Sequence, residues 1–588
     1  MNDTMKLYIS TLKLSIKLSF KASKTIMVFR LIMLISGAII PLINARSMKC
    51  IIDSIASLDA QRAIKWFVAL GCCQIISAFI GKTTNYLSVI HSDRISLLIS
   101  KDIAEKVNEL DISYFDNPVL YNELKNVTAD IRSIPSLIWQ VLSSFQLLIK
   151  IVSTAIILWR YIAFAPIIVI ISCLPSLLID KKYARKMYEW NRSTTSEARK
   201  MGYSYDTLTS KYFCKDIRMY GLKKYLLDKY EEQWNIWKKR KHNIIKNQFR
   251  ASIISVLLPN IVTLLFAILI MIKILHSYLS VGDFSYFISI MGQLTVAVSG
   301  MVSVVAEIIN QKTKIEYYNR FGSWESVIRG GHKSINSFNE LIFDNVSFAY
   351  PGTQNLVLSN VSFRITKNQK VGIIGKNGSG KSTIIKLIMR FYNPTSGRIL
   401  VNGRDVQEYD MSSYYGIISC FMQDYVNYCF SLKENIQTAD LRKKGTLKEL
   451  VQACKKSDAY SFVNSWENGM EQFLTKSFDE TGKELSGGEW QKIALARFFF
   501  RNSELKIMDE PSSSIDLQSE EKILSSVINE QDHGTLILVS HRLSNMKKMD
   551  QILVVENGKI VEKGDHESLM NAGKIYYHLY SIQKNNFQ

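Results

Sequence analysis

The stretch Gly375-Lys376-Asn377-Gly378-Ser379-Gly380-Lys381-Ser382-Thr383 decides the fold of the second half of this 588-residue chain. It fits the pattern G-x-x-x-x-G-K-[ST], follows the apolar run VGII and precedes the helical pattern STIIKLIM. In such a loop the glycines let backbone N–H groups wrap phosphates, the lysine neutralises phosphate charge and the serine can bind Mg²⁺. The alternative is a glycine-rich turn with a chance Lys-Ser pair. The strand-to-helix context favours a phosphate-binding loop and predicts a nucleotide site.

Two carboxylates follow another predicted strand, in the run LKIMDE. We expect Asp509 to bind Mg²⁺, directly or through water, and Glu510 to polarise the attacking water as general base. On its own, an Asp-Glu pair after an apolar strand is also consistent with helix capping. The phosphate-binding loop elsewhere in the chain favours the catalytic interpretation.

Three isolated residues lie where a nucleotide site needs them. His541 follows the predicted strand LILVS and can hydrogen-bond a γ-phosphate, although a histidine satisfied within a turn is the alternative. Gln423, in CFMQDY, is expected to reach Mg²⁺ and the attacking water. Tyr350, in SFAYPG, can stack on adenine, whereas a core tyrosine is the structural alternative.

A second anion-binding pattern occurs in LSGGEWQKIALAR, residues 485–497. Ile493, Leu495 and Ala496 indicate a packed helical face. The first turn, Ser486-Gly487-Gly488, exposes backbone N–H groups of the kind that hold an anion at a helix start. Because the chain already has a phosphate-binding loop upstream, we expect this second anion-binding helix start to have a different function.

The net charge of +21 does not indicate a nucleic-acid partner. Many of the basic residues precede or separate apolar spans, at positions 6–24 and 181–250, as the positive-inside rule predicts for cytoplasmic segments. We therefore expect no nucleic acid among the partners. The eight cysteines include no CxxC, which indicates neither a zinc site nor a disulfide scaffold.

Six apolar stretches are long enough to cross a bilayer, which needs about 20 residues. They lie near residues 25–45, 63–90, 134–159, 161–179, 251–275 and 281–309. Two connections, 159–161 and 276–280, are very short, whereas 91–133 and 180–250 are long and charged. This asymmetry predicts a multi-pass protein of the cytoplasmic membrane with both termini in the cytoplasm. The first stretch lacks a small-residue cleavage site and is interpreted as a retained membrane helix.

The chain divides into a transmembrane domain over 1–310, a polar linker over 311–340 and a second domain over 341–588. Helical spacing in the long loops predicts that membrane helices two to five continue into the cytoplasm as rods, which turn near 114–118 and 216–221. Alternating strands and helices predict a mostly parallel α/β domain. The predicted fold is a six-span membrane α-helical domain fused to a C-terminal α/β P-loop nucleotide-binding domain.

Together these features resemble the ATP-binding cassette (ABC) family, and the resemblance covers nearly the whole chain. The six-helix membrane domain ahead of the cassette is similar to type I ABC exporters, with the two predicted turns as coupling helices. The matching motifs are Tyr350 (A-loop), 375–383 (Walker A), Gln423 (Q-loop), 485–491 (signature), Asp509-Glu510 (Walker B), 514–516 (D-loop) and His541 (switch histidine).

The resemblance implies ATP and Mg²⁺ as cofactors, with catalytic roles for Glu510, His541 and Gln423. It implies metal contacts from Ser382, Gln423 and Asp509. The implied ATP-contacting set is Tyr350, Gly375, Asn377, Gly378, Ser379, Gly380, Lys381, Ser382, Thr383, Gln423, Ser486, Gly487, Gly488, Glu489 and Asp509. Glu489 replaces the usual signature glutamine, which leaves an acceptor for a ribose hydroxyl but adds a negative charge near phosphate.

In this family the signature contacts the γ-phosphate of ATP held by the other cassette. The chain has one cassette, so the resemblance implies a second half-transporter as partner, and we expect a homodimer. Different affinities for the ATP-bound and ATP-free states would then drive alternating access.

Two stretches, LSGGEWQKIALARFFF and CFMQDYVNYCFSLKENI, are similar to exporters of lantibiotics and other bacteriocin-like ribosomal peptides. The resemblance is to nisin-type transporters without a peptidase domain, because the segment before residue 25 is too short for one. We therefore expect an amphipathic peptide as the exported substrate. The D-loop reads SSSID where SALD is commoner.

Polar residues inside spans are costly and are candidates for a substrate pathway. Lys150 and Gln146 lie one helical turn apart in the third span, and Gln74 and Gln293 lie in the second and sixth. An interhelical hydrogen bond or a snorkelling lysine is the alternative. If Lys150 lines a cavity, it suits a carboxylate-bearing peptide.

Three rival functions remain open at this point. A lipid or hydrophobic-drug exporter has the same fold, because nothing in the cassette encodes the substrate. A membrane-anchored sensor that binds ATP without transport belongs to another class. A DNA-repair or translation factor would need coiled coils or tandem cassettes, and the six spans disfavour both.

Overall fold

The computed structural model describes residues 2–130, 134–276, 278–443, 445–511, 516–528 and 534–586. Two compact units divide the chain: residues 1–109 with 122–324, and residues 110–121 with 325–588. The division at 324/325 falls inside the predicted linker, and residues 110–121 group with the second unit although the prediction assigned them to the membrane domain. The helices of the first 324 residues are α1 (Asn2–Ala22), α2 (Lys24–Ala56), α3 (Ala60–Glu109), α4 (Ser113–Asp116), α5 (Pro118–Asp130), α6 (Ile134–Tyr161), α7 (Ala165–Ser193), α8 (Thr195–Thr209), α9 (Cys214–Met219), α10 (Lys223–Leu275), α11 (Val281–Asn310) and α12 (Lys312–Gly322).

Five of the described helices are long and apolar enough to cross a membrane: α2, α3, α6, α10 and α11. They coincide with five of the six predicted spans. The remaining predicted span, 161–179, forms the first half of α7, whose apolar stretch from Ala165 to Ile179 ends at Asp180-Lys181-Lys182. The apolar stretch is shorter than predicted because α7 begins at Ala165, whereas residue 161 still belongs to α6.

The helices α3 and α10 run well beyond their apolar spans, as predicted. Each is about two and a half times as long as the roughly 20 residues of a bilayer crossing, with 50 residues in α3 and 53 in α10. Short helices form where the sequence predicted turns, at α4 and α9. Apolar side chains of α3 such as Phe67, Ile75 and Phe79 are exposed, which suits a surface covered by lipid or by another chain.

Two helices of the first unit were not predicted. The N-terminal helix α1 carries a polar buried row of Thr11, Ser15 and Ser19, and Tyr8 Oη lies 2.6 Å from Ser144 Oγ of α6. Helix α12 occupies part of the predicted linker. Both segments are more polar than the membrane spans, so their sequences indicate a basic flank at α1 and part of a linker at α12.

The second unit contains two sheets. The strands are β1 (Glu340–Phe348), β2 (Leu358–Thr366), β3 (Lys370–Ile374), β4 (Ser396–Val401), β5 (Arg404–Asp405), β6 (Ile418–Phe421), β7 (Leu505–Asp509), β8 (Thr535–Val539), β9 (Gln551–Glu556) and β10 (Lys559–Gly564). The larger sheet has the order β10-β9-β3-β8-β7-β6 and is parallel except for the β9–β10 hairpin. This sheet confirms the predicted parallel α/β core.

The smaller sheet was not part of the prediction of a mostly parallel α/β domain. It has the order β2-β1-β4-β5 and is antiparallel throughout. Strand pairing between distant segments is decided by tertiary packing, which local patterns do not show.

The helices of this unit are α4, given above, and α13 (Lys381–Ile388), α14 (Met411–Gly416), α15 (Leu432–Gln437), α16 (Leu447–Lys456), α17 (Tyr460–Val463), α18 (Gly487–Arg501), α19 (Leu517–Ile528), α20 (His566–Ala572) and α21 (Ile575–Asn586).

Candidate nucleotide site

The site lies at one edge of the larger sheet. Strands β3, β8, β7 and β6 are neighbours and run parallel, so their carboxyl ends meet at the same edge. The phosphate-binding loop follows β3, and His541, Glu510 and Gln423 follow β8, β7 and β6. Ligands of open α/β sheets bind at this edge. The topology therefore brings the separately predicted residues together.

The backbone of the phosphate-binding loop requires glycine at two positions. Gly378 and Gly380 have φ angles of +77° and +108°, a region that residues with a Cβ rarely adopt. Helix α13 starts directly after Gly380, at Lys381. The loop thus ends at a helix N-terminus, where free N–H groups and the helix dipole favour a phosphate.

Lys381 is buried beside this loop, with only 5% of its surface exposed. Its ammonium group donates to Gly375 O at 2.9 Å and to Lys376 O at 3.0 Å. Burial lowers the pKa of Lys381, while the nearby carboxylates of Glu510 and Asp509 act in the opposite direction. A buried cation that faces two carboxylates is well placed to compensate phosphate charge.

Glu510 is the centre of a hydrogen-bonded group. Its Oε1 lies 2.7 Å from His541 Nε2, and its Oε2 accepts from Gln423 Nε2 at 3.1 Å. Glu510 has a φ angle of +50°, which is unusual for a residue with a side chain and is often found at functional sites. Gln423 and His541, also proposed for catalysis, therefore each contact Glu510, and the carboxylate is oriented from both sides.

The residues proposed to hold Mg²⁺ fit a hard cation. Asp509 is buried, and its Oδ1 has no hydrogen-bond partner among the described residues. Burial raises the pKa of its carboxyl, whereas the Ser382 hydroxyl and the Lys381 ammonium lower it. A carboxylate, a hydroxyl and the Gln423 amide are oxygen donors of the kind that Mg²⁺ takes together with phosphates. When bound, Mg²⁺ would neutralise charge on the β- and γ-phosphates.

These groups surround a cavity of about 400 Å³, within the size range of small-molecule sites. It is lined by Asn377, Gly378, Lys381, Ser382, Gln423, Glu510 and His541. The four signature residues 486–489 do not line it. The structure thus brings together one part of the predicted nucleotide-binding set and leaves the signature outside.

Tyr350 lies next to this site and its ring is held by other aromatic residues. The ring contacts Phe348 and Tyr392 edge-on, with centroids 5.0 and 5.3 Å apart. Its hydroxyl lies 3.2 Å from Thr383 Oγ1 in α13. Tyr350 is only partly buried, which leaves ring surface for an adenine base.

We expect Tyr350→Leu to raise the KM for ATP about tenfold, because base stacking on an aromatic ring contributes about 1–3 kcal/mol. Tyr350→Phe keeps the ring and should stay within about twofold of the original KM. The measurement is steady-state ATP hydrolysis against ATP concentration. Equal KM values for the Leu and Phe variants would contradict the stacking role.

The signature forms the start of α18. Ser486 is the N-cap, and Glu489 completes a capping box. The Glu489 carboxylate accepts from Ser486 N and from Ser486 Oγ, both at 2.8 Å. The negative charge of Glu489, which was expected near phosphate, therefore stabilises the start of α18 and accepts both hydrogen bonds that Ser486 donates here. Next to it, a Cβ added at Gly487 would meet no atom within 4 Å.

The predicted pathway residues have different surroundings. Gln293 donates to Pro41 O at 3.1 Å, so it makes the interhelical hydrogen bond given as the alternative. Gln146 packs against Gly37, Gln74 is exposed and Lys150 is half-buried. Among the described residues no carboxylate pairs with Lys150. A pathway role for these four stays a prediction.

The structure adds two residues that the sequence did not indicate. Tyr425 Oη donates to Gly487 O at 3.0 Å and thereby connects the segment after Gln423 to the signature. Gln583, on α21, bonds to the backbone around His541. Both contacts join distant segments. The one related signal in the sequence is that Tyr425 lies two positions after Gln423.

Of the predicted D-loop, residues 514 and 515 lie outside the described residues.

Two family descriptions match the chain. Residues 26–298 match the ABC transporter transmembrane region, and residues 358–513 match the ABC transporter domain. The fold is also similar to a solved structure described as a bacterial Atm1-family ABC exporter with ATP bound. That similarity has a TM-score of 0.80 at 21% identity and covers 95% of this chain and 99% of the other.

Several curated proteins are similar in sequence. The subtilin transport ATP-binding protein SpaT of Bacillus subtilis is 27% identical over 95% of this chain and 92% of its own length. The nisin transport ATP-binding protein NisT of Lactococcus lactis is 24% identical over 97% of this chain and 96% of its own length. An ATP-dependent lipid A-core flippase of Pectobacterium atrosepticum is 38% identical over 42% of this chain and 41% of its own length.

Proposed function

Because this chain belongs to the ABC transporters, we propose that it exports a ribosomally made, lantibiotic-like peptide across the cytoplasmic membrane. The chain is an ATPase coupled to transport, and its half-transporter architecture implies a dimer in a membrane. Our proposal adds the substrate class, a homodimer, Mg²⁺ as the metal and a cytoplasmic location of both termini.

The extent of the similarity to SpaT and NisT supports a peptide substrate. Both alignments span more than nine tenths of this chain, so they include the membrane region that forms the transport pathway. The alignment with the lipid A-core flippase covers 244 residues, too few to include both 26–298 and 358–513. The membrane region is where substrates bind in transporters, and similarity there bears on the substrate.

Export of a lipid or hydrophobic drug is the second candidate. The lipid A-core flippase relatives favour it, and the sequence identity of their shorter alignments is higher. The half-buried Lys150 in α6 suits an anionic group on the substrate, so it disfavours an uncharged drug but does not distinguish a peptide carboxylate from a lipid phosphate.

We propose a composite ATP site for the working cycle. One chain supplies the cavity around Lys381, Glu510 and His541, and the partner chain supplies Ser486, Gly487 and Gly488. Support comes from the position of the signature outside the cavity of its own chain. ATP binding would then join the two cassettes, and hydrolysis would separate them.

The substrate class is tested by ATP hydrolysis in nanodiscs. We expect a subtilin- or nisin-type precursor peptide to raise the rate about fivefold, the lower end of typical coupling between two sites. A peptide of scrambled sequence and a lipid titration are the matched controls. A response to lipid without a response to the precursor would overturn the peptide proposal and favour the second candidate.

A further inference from the structure

The short segment that carries His541 is held by a residue from the other end of the domain. Gln583, on the last helix α21, donates through its amide N–H to His541 O. The carbonyl oxygen of the same amide accepts from Leu543 N at 2.8 Å. One side chain therefore bonds to the backbone on both sides of Arg542.

His541 depends on this support because packing does not fix its ring. Its side chain is 44% exposed, and its ring contact is the 2.7 Å bond to Glu510. The following residues are anchored differently. Arg542 pairs with the carboxylate of Glu520, and Asn545 donates to the same carboxylate at 3.0 Å.

Helix α21 has its own anchors away from this segment. Tyr576 is fully buried, and its hydroxyl lies 2.7 Å from His566 Nδ1 in α20. The backbone N–H groups of Ile575 and Tyr576 donate to the Glu562 carboxylate. These contacts secure the first turn of α21, so the helix keeps its place when the Gln583 amide is removed.

We propose that Gln583 is a positioning residue for ATP hydrolysis, which holds the His541 backbone so that the imidazole stays on Glu510. The inference rests on the proposed role of His541 at the γ-phosphate. Without the amide, the His541 carbonyl and the Leu543 N–H lose their protein partner, and the imidazole is free to turn into the solvent. Catalysis is sensitive to such displacement, whereas binding of ATP to the phosphate loop is not.

We expect Gln583→Ala, which removes both of these hydrogen bonds, to lower kcat about five- to tenfold, with the KM for ATP within about twofold. Gln583→Glu keeps the acceptor for Leu543 but loses the donor to His541, so its kcat should fall as well. Both are measured on the purified full-length protein in nanodiscs. If Gln583 had only a structural role, its loss would lower stability or raise the KM. It would not lower kcat while leaving the KM unchanged.

Tyr576→Phe is the matched control on the same helix. It removes the hydroxyl bond to His566 and should lower the unfolding temperature while leaving kcat unchanged. The inference would be overturned if Gln583→Ala had the kcat of the original chain. It would also be overturned if Tyr576→Phe lowered kcat as much as Gln583→Ala does. The variant His541→Ala separates the two proposals. If it is fully active, the proposed role of His541 is wrong. If it is inactive while Gln583→Ala has normal activity, only the positioning role of Gln583 is wrong.

Discussion

We expect Glu510→Gln to hydrolyse ATP about 10²- to 10⁴-fold more slowly than the original chain, the usual contribution of a general base. The amide keeps the size of the side chain and can still contact Gln423 and His541, which lie 3.1 and 2.7 Å from the carboxylate oxygens. It cannot accept a proton from water at neutral pH. ATP binding should persist, because the loop around Lys381 is unchanged.

The measurement is phosphate release at saturating ATP, with a fluorescent nucleotide to follow binding. Glu467→Gln is the matched control, because Glu467 is an exposed carboxylate in a loop of the same unit. It should hydrolyse at the original rate. If Glu510→Gln kept more than about a tenth of the activity, the assignment of the general base would be wrong.

The second large effect is expected at the signature. Gly487→Asp should reduce hydrolysis about 10²-fold, as removal of electrostatic stabilisation at a reacting group does, while each chain still binds ATP. A Cβ at Gly487 meets no atom within 4 Å, and an acidic residue in the first turn of α18 favours the helix. The chain itself therefore accommodates the aspartate. In the proposed composite site, hydrolysis falls because the added charge would repel the γ-phosphate of ATP bound to the partner.

Gly487→Asn controls for size, because it has the shape of the aspartate without its charge. We expect it to lose clearly less activity than Gly487→Asp. Equilibrium binding of ATP should be equal in both variants and in the original chain. Loss of ATP binding in Gly487→Asp, or equal losses of hydrolysis in both variants, would contradict the repulsion argument.

The clustering of the catalytic residues followed from the sequence for a physical reason. The phosphate-binding loop, Glu510 and His541 each follow a mostly apolar run of strand length, although Lys506 interrupts the run before Glu510. Such runs are buried parallel strands, and parallel neighbours end at one edge. Gln423 also follows a strand, β6, but that strand was not predicted, and the expected role of Gln423 rested on its position and on the family resemblance.

Other features depend on contacts between distant segments and were not predictable. The antiparallel pairing of β1 with β2 and β4 and the bonds of Gln583 are of this kind. The cap that Glu489 gives to Ser486 is local and could have been predicted. A capping box has a sequence signature, and Ser486 followed three residues later by Glu489 fits it.

The composite site is tested most directly by the ATP that the dimer retains. Glu510→Gln, loaded with radiolabelled ATP and passed through a desalting column, should keep one ATP for each chain in a particle of two chains. Glu510→Gln combined with Gly487→Asp should bind ATP at equilibrium yet retain none after the column, because closure needs the signature of the partner. Equal retention by both proteins, or retention by single chains, would contradict the account.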